Sequence, residues 1–173
     1  MTQTASISIV TLSAANINSV PNRDTLVNAF VALNKEWITR YFRLEPSDLH
    51  YFSNPVEQII TPGGYIFVAL ANDTPIGCCA LIPHNGPHPW ELAKMAVSPA
   101  AQGHGAGLHL GQTALAQAWR MGAKEVFLEA NTKLEASVHL YNKLGFEAVA
   151  DYVPAYDRCN LYMICKQTKN THS

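Results

Sequence analysis

The stretch Gln102-Gly103-His104-Gly105-Ala106-Gly107 sets three alternate glycines between a strand-like and a helix-like segment. Glycine removes the side chain where backbone N–H groups must approach a ligand closely. A helix starting there adds its own unpaired N–H groups and the positive end of its dipole, a combination that suits phosphate. Neither common phosphate loop is present. A dinucleotide fingerprint begun at Gly103 needs a glycine where Leu108 stands, and no Gly-Lys-Ser/Thr follows for a P-loop. Taken alone, the glycines serve equally well as a tight strand-to-helix turn.

Other reactive side chains are scattered. His84 and His88 titrate in a range useful for a base. They lie four apart but have no third ligand near them, so no metal site is expected. Cys78, Cys79, Cys159 and Cys165 form no CxxC pair, and the plain reading is buried, reduced thiols. Tyr141 falls on the apolar side of a helical stretch, so its phenol points inward and needs a partner. Glu91 opens a strand, where a solvated carboxylate or a partner for Lys94 is the ordinary reading.

Composition bounds the rest. The 173 residues are 48% apolar, enough for a core in a single domain spanning residues 1–173. Charged residues make up 14%, against about 25% in a typical chain, and 12 Lys+Arg oppose 13 Asp+Glu. Such a balance argues against nucleic acid as a partner. No apolar run approaches the ~20 residues of a membrane helix. MTQTASISIV lacks a basic segment followed by an apolar core. A cytoplasmic location without membrane contact is therefore expected. Between Ser98 and Arg120 no Asp, Glu or Lys occurs, so any phosphate grip there must come from backbone amides.

The elements that would position these groups follow from periodicity. Strands are predicted at Ile7–Leu12, Tyr65–Ala71, Pro75–Pro83, Trp90–Val97, Val126–Leu128, Phe146–Tyr152 and Asn160–Lys166. Asn72-Asp73-Thr74 reads as a hairpin turn. Helices are predicted at Arg23–Phe42, Pro46–Tyr51, Pro55–Ile60, from Gly105 or Gly107 to Met121, and at Leu134–Leu144. Gly122 and Gly145 stand where left-handed C-terminal residues are wanted. Residues 1–5 and 167–173 read as frayed. The order predicts an α+β fold with a mixed sheet and a central strand–helix–strand unit.

Gln102-x-x-Gly105-x-Gly107 resembles the Q/R-x-x-G-x-G/A signature of the GNAT acyl-CoA-dependent N-acetyltransferases. Trp90 to Pro99 resembles the strand that precedes this loop in that superfamily. Leu128-Glu129-Ala130-Asn131 and Leu140-Tyr141-Asn142-Lys143-Leu144-Gly145-Phe146 resemble its second cofactor-binding half. The resemblance implies a mostly antiparallel sheet of about seven strands, with acetyl-CoA as cosubstrate, an amine as acceptor and no metal. The CoA pyrophosphate would lie on the loop and helix start, Gln102, Gly103, His104, Gly105, Ala106, Gly107 and Leu108. The pantetheine arm would pair along Met95, Ala96 and Val97, on an edge splayed from the next strand. Asn131 would bond the cofactor arm or, with Thr132, cap the next helix. Lys143 and Arg120 would meet the outer phosphate, although solvated side chains are their default.

The resemblance also assigns catalytic roles. Tyr141 would protonate the departing thiolate. Glu91 would deprotonate the amine, with His84 or His88 as alternatives, and a backbone N–H near Met95 would meet the oxyanion. The acceptor would lie among Trp37, Tyr41, His84, His88 and Arg158, the last facing either a substrate carboxylate or solvent. A non-catalytic acyl-CoA-binding or sensing domain is the alternative, and monomer and homodimer both remain open. An exposed edge strand near the C-terminus would pair between chains.

Overall fold

The computed structural model describes residues 6–168. Of the ends expected to be frayed, 1–5 and 167–173, residues 1–5 and 169–173 lie outside the described residues. The Gln167 N–H donates to the Lys124 carbonyl at 2.9 Å, so the last ladder runs one residue past its strand. Seven strands form one sheet: β1 (Ile7–Leu12), β2 (Tyr65–Ala71), β3 (Thr74–Pro83), β4 (Trp90–Val97), β5 (Glu125–Ala130), β6 (Glu147–Val149) and β7 (Leu161–Lys166). The helices are α1 (Arg23–Tyr41), α2 (Pro46–Ser53), α3 (Ala106–Arg120) and α4 (Glu135–Lys143), with a π-helical turn at Val56–Ile60.

The sheet order is β1-β2-β3-β4-β5-β7-β6. Only the β4–β5 pair is parallel. Helices cover both faces of the central strands, which explains why β2 and β3 are apolar at successive positions. Phe67, Cys79 and Leu81 face Leu110, Ala114 and Ala118 of α3. Ile66, Val68 and Cys78 face the other way, toward Phe30 and Ile38 of α1. Strand β5 alternates instead: Val126, Leu128 and Ala130 are buried, while Glu125, Phe127 and Glu129 are half-buried.

Local signals act as expected at several ends. Pro46 starts α2, where its missing N–H costs nothing, and the Glu45 N–H donates to Asp48 Oδ2 at 2.9 Å. Helix α3 closes at Gly122, with the Ala123 N–H donating to the Ala118 carbonyl. Helix α4 closes in the same way at Gly145, the Phe146 N–H donating to Tyr141.

Three strands differ from expectation in their bounds. Thr74 already belongs to β3, because Asn72 and Asp73 with φ of 48° and 63° suffice for the turn. Strand β5 is longer than Val126–Leu128, since β7 pairs with it throughout from Glu125 to Ala130. Strand β6 is shorter than Phe146–Tyr152, because Phe146 is a buried core residue and the chain leaves the sheet after Val149. The edge near the C-terminus is therefore β6, and β7 is an inner strand.

Two irregularities in β4 prepare the site. Cys78 pairs with Ala96 and Ala80 with Ala93, so Lys94 and Met95 together oppose Cys79. This is a β-bulge, and Lys94 in it adopts φ of 55°. On its other side β4 pairs with β5 only at Glu91 and Phe127. Beyond that pair the two strands part.

Candidate active site

The glycine loop joins the end of β4 to the start of α3. Gly105 is the N-terminal flanking residue of α3 with φ of 85°, and Gly103 has φ of 81°. An added Cβ at either would meet nothing within 4 Å. Among the described residues, the N–H groups from Gly103 to Leu108 have no hydrogen-bond partner, and no side chain caps α3. A run of unpaired donors beside a helix start fits an anionic pyrophosphate. The packing role holds at Gly107, where a Cβ would come 3.0 Å from Leu140 Cδ2 between α3 and α4.

A groove of about 620 Å³ extends from this loop between the end of β4, which β5 leaves unpaired, and α4 with the segment before it. Met95, Ala96, Val97, Gln102, Gly103, Gly105, Ala106, Gly107, Leu108, Tyr141 and Lys143 all line it, as do Trp37 and Tyr41. His104 is exposed and does not line the groove. Arg120 is also elsewhere, donating to Gln117 Oε1 at 2.8 Å on the solvent side of α3. The groove thus has room for an extended cofactor arm and a lysine at its outer end.

A second cavity of about 80 Å³ lies deeper, and Trp37, Met95, Leu134, Ser137 and Tyr141 line both. Tyr141 therefore stands at their junction. The backbone partner a core tyrosine would take is missing: among the described residues its hydroxyl has no hydrogen bond. Burial raises its pKa, so the phenol keeps its proton.

Glu91 lines the deep cavity and is only 7% exposed. Neither ordinary reading of it holds. It is not solvated, and its partner is His84 Nε2 at 2.5 Å rather than Lys94. The hydrogen bond to Glu91 raises the His84 pKa against the opposing effect of burial, and the Glu91 and Glu129 charges add to the rise. His88 is not brought to the site. It pairs with Glu125 and packs on Phe127 and Tyr162, outside both cavities.

Lys94 and Arg158 belong to a network that sequence reasoning missed. Lys94 Nζ donates to Asp48 Oδ1 and to the Tyr156 hydroxyl, each at 2.8 Å. It also lies over the rings of Tyr51, Phe52 and Tyr156. Arg158 grips the same Asp48 carboxylate in bidentate fashion at 2.6 and 2.7 Å, and Glu45 Oε2 at 3.0 Å. Burial pushes the Asp48 pKa up, but Arg158 and Lys94 outweigh it and bring it to about 2. Arg158 is thus neither at the surface nor free for a substrate carboxylate. Its task is to tie the segment before β7 to α2.

Asn131 lines the deep cavity, but its amide nitrogen donates to the Arg158 carbonyl and its oxygen accepts from the Lys133 N–H. Thr132 pairs with Asn160. Neither caps α4, whose N-terminal flanking residue is Leu134. Cys159 also lines the cavity, yet burial pushes its thiol up to about 12, leaving it un-ionised. Among the described residues no cluster of His, Cys, Asp and Glu could hold a metal. No described helix is long and apolar enough to cross a membrane.

Sequence reasoning also passed over Asn34 and Glu129, both of which line the deep cavity. The alternation of β5, which sends Glu129 to the same face as Phe127, was the available signal for Glu129. Asn34 offered none, since a polar residue on α1 reads as solvent-facing until the helix is docked.

Known proteins resemble this chain in sequence and in fold. The chain is 28% identical over 101 residues to an uncharacterized N-acetyltransferase of Schizosaccharomyces pombe, covering 58% of this chain and 62% of that protein. It is 42% identical over 62 residues to the uncharacterized N-acetyltransferase YjgM of Escherichia coli, 36% of each. In both cases the match spans less than two thirds of the relative. An acetyltransferase of the GNAT family from Staphylococcus aureus superposes with a TM-score of 0.77 at 15% identity, covering 93% of this chain and 99% of that one. A Bacillus subtilis acetyltransferase in complex with CoA gives 0.60 at 18% identity, covering 94% and 100%. At these identities the structural likeness establishes the fold. The model of the acetyltransferase (GNAT) family matches residues 30–146, well over half of the sequence, and the chain belongs to that family.

Proposed function

We propose that this chain is a single-domain N-acetyltransferase that moves an acetyl group from acetyl-CoA to a primary amine of a small molecule or peptide. The amine attacks directly within a ternary complex. One observation carries the reading: Tyr141 stands where the groove of the glycine loop meets the cavity of Glu91. A proton donor and a carboxylate thus serve opposite sides of one reaction centre.

Acetyl-CoA supplies a thioester carbonyl and a thiolate leaving group. The loop N–H groups from Gly103 to Leu108 hold its pyrophosphate, and Lys143 meets its outer phosphate. Met95, Ala96 and Val97 offer their backbone to the pantetheine arm along the parted edge of β4. Glu91 takes the proton from the attacking amine, and His84 holds the carboxylate in place. A backbone N–H at the Met95 bulge donates to the oxyanion. Tyr141 gives its proton to the departing sulfur.

Thermal denaturation with and without acetyl-CoA, followed by thiol release with a panel of amines, tests the proposal. A stabilisation by acetyl-CoA together with amine-dependent thiol is expected. Stabilisation without acceleration by any amine would instead indicate a sensing domain.

A further inference from the structure

The deep cavity has an unusual charge balance. Four charged side chains line it: Glu91, Lys94, Glu129 and Arg158. Both cations are already engaged, Lys94 with Asp48, and Arg158 with Asp48 and Glu45. Glu91 is paired with His84. Glu129 is left. Its carboxylate accepts the Ala155 N–H at 2.8 Å and, among the described residues, has no cation within ion-pair distance.

A second observation comes from the opposite wall. Asn34 on α1 is 1% exposed and lines the same cavity. Its amide nitrogen donates to the Phe30 carbonyl at 2.9 Å, which can only accept, so the orientation of the amide is set. Its oxygen accepts nothing among the described residues. That oxygen is not sealed away, since among the described residues the Tyr152 hydroxyl is the one fully buried side-chain polar atom without a partner, so a donor in the cavity can reach it. Glu129 and Asn34 therefore both ask for a hydrogen-bond donor, and Glu129 asks for a positive one.

Resting on the transfer reading above, we infer that the acceptor is a small amine with a second cationic group, held by Glu129 and the Asn34 carbonyl oxygen. An ammonium carries three donors and no acceptor, which matches two acceptor groups. Register sets the spacing: Glu91 is level with Phe127, and Glu129 lies two residues further on the same face, about 6–7 Å along a strand. The reacting nitrogen at Glu91 and the held cation are thus a short aliphatic spacer apart. Trp37, Phe42 and Leu134 supply apolar wall for that spacer. Among the described residues an acceptor carboxylate finds no free lysine or arginine in this cavity.

Thiol release at saturating acetyl-CoA with n-butylamine, 1,4-diaminobutane and 4-aminobutanoate tests this. The diamine is expected to exceed butylamine in kcat/KM by roughly ten- to hundredfold, the scale of a charged hydrogen bond, and beyond the advantage of its two equivalent nitrogens. The aminobutanoate should fall below butylamine. In Glu129→Gln, which can still accept from Ala155, the diamine-to-butylamine ratio should collapse toward one. Equal use of the amine and diamine by the wild type overturns the inference, as does a ratio untouched by Glu129→Gln. If that variant fails to fold, the wild-type ratio decides alone. Failure of every amine in a broad panel to accelerate thiol release overturns the transfer reading itself, and this inference with it.

Discussion

Glu91 Oε2 lies 2.5 Å from His84 Nε2, joining the start of β4 to the loop before it. The bond favours protonated His84, whose pKa is raised. A raised folded-state pKa stabilises the fold fully below the unfolded value of about 6.5, and that stability is lost as pH rises through the folded value. His84→Gln should therefore lower Tm at pH 5.5 and cease to do so at alkaline pH. The difference should stay near 1 kcal/mol or below, because 34% of the His84 side chain is in water. Melting curves across pH check this.

The same geometry separates two candidates for the base. Glu91 faces the cavity, whereas His88 is bound to Glu125 outside it. Glu91→Gln should cut kcat about a hundredfold or more and remove the acidic limb of the pH–rate profile, on which a general base must lose its proton. His88→Ala should keep that limb. Loss of the limb in His88→Ala alone would reverse the assignment.

Asp48 is fully buried between Lys94 and Arg158. Asp48→Asn strands Lys94 and leaves Arg158 only Glu45, and should cost about 3–5 kcal/mol. Its depressed pKa sets the acid sensitivity. Stability from Asp48 is present above about pH 4 and is lost as pH falls through a pKa of about 2. Urea midpoints between pH 5 and 2 should converge for wild type and Asp48→Asn.

The glycines divide by role. Gly105→Ala puts a side chain at φ of 85° in the groove and should raise the KM for acetyl-CoA at least about tenfold, with about 1–2 kcal/mol of strain. Gly111→Ala would collide with Leu144 outside the groove. It should lower stability by about 1–3 kcal/mol and leave the KM for acetyl-CoA near wild type. Paired melting and KM measurements distinguish the two.

Much of this was legible along the chain because it is local. The glycine loop, the helix after it and the strand before it follow from neighbours a few residues apart. The engaged partners were not legible. Asp48, Lys94 and Arg158 meet from α2, β4 and the segment before β7, and each alone reads as an ordinary surface charge. The bulge at Lys94 was hidden too, because a lysine with φ of 55° is held by its buried contacts rather than by local preference. His84 and Glu91 lie seven residues apart, and only the strand geometry turns them toward each other. Strand β6 was over-extended because its apolar neighbours Phe146 and Tyr152 serve the core and the Tyr162 ring.

Tyr141, at the junction of groove and cavity, is the proposed proton donor to the departing thiolate. The most direct test is single-turnover and steady-state kinetics of Tyr141→Phe, with acetyl-CoA affinity measured alongside. The phenyl ring keeps its packing against Phe146, so the groove should persist. The expected result is a fall in kcat of about a hundredfold or more, with acetyl-CoA affinity changed by less than about threefold. A kcat within about twofold of wild type, at unchanged affinity, would remove Tyr141 from the mechanism.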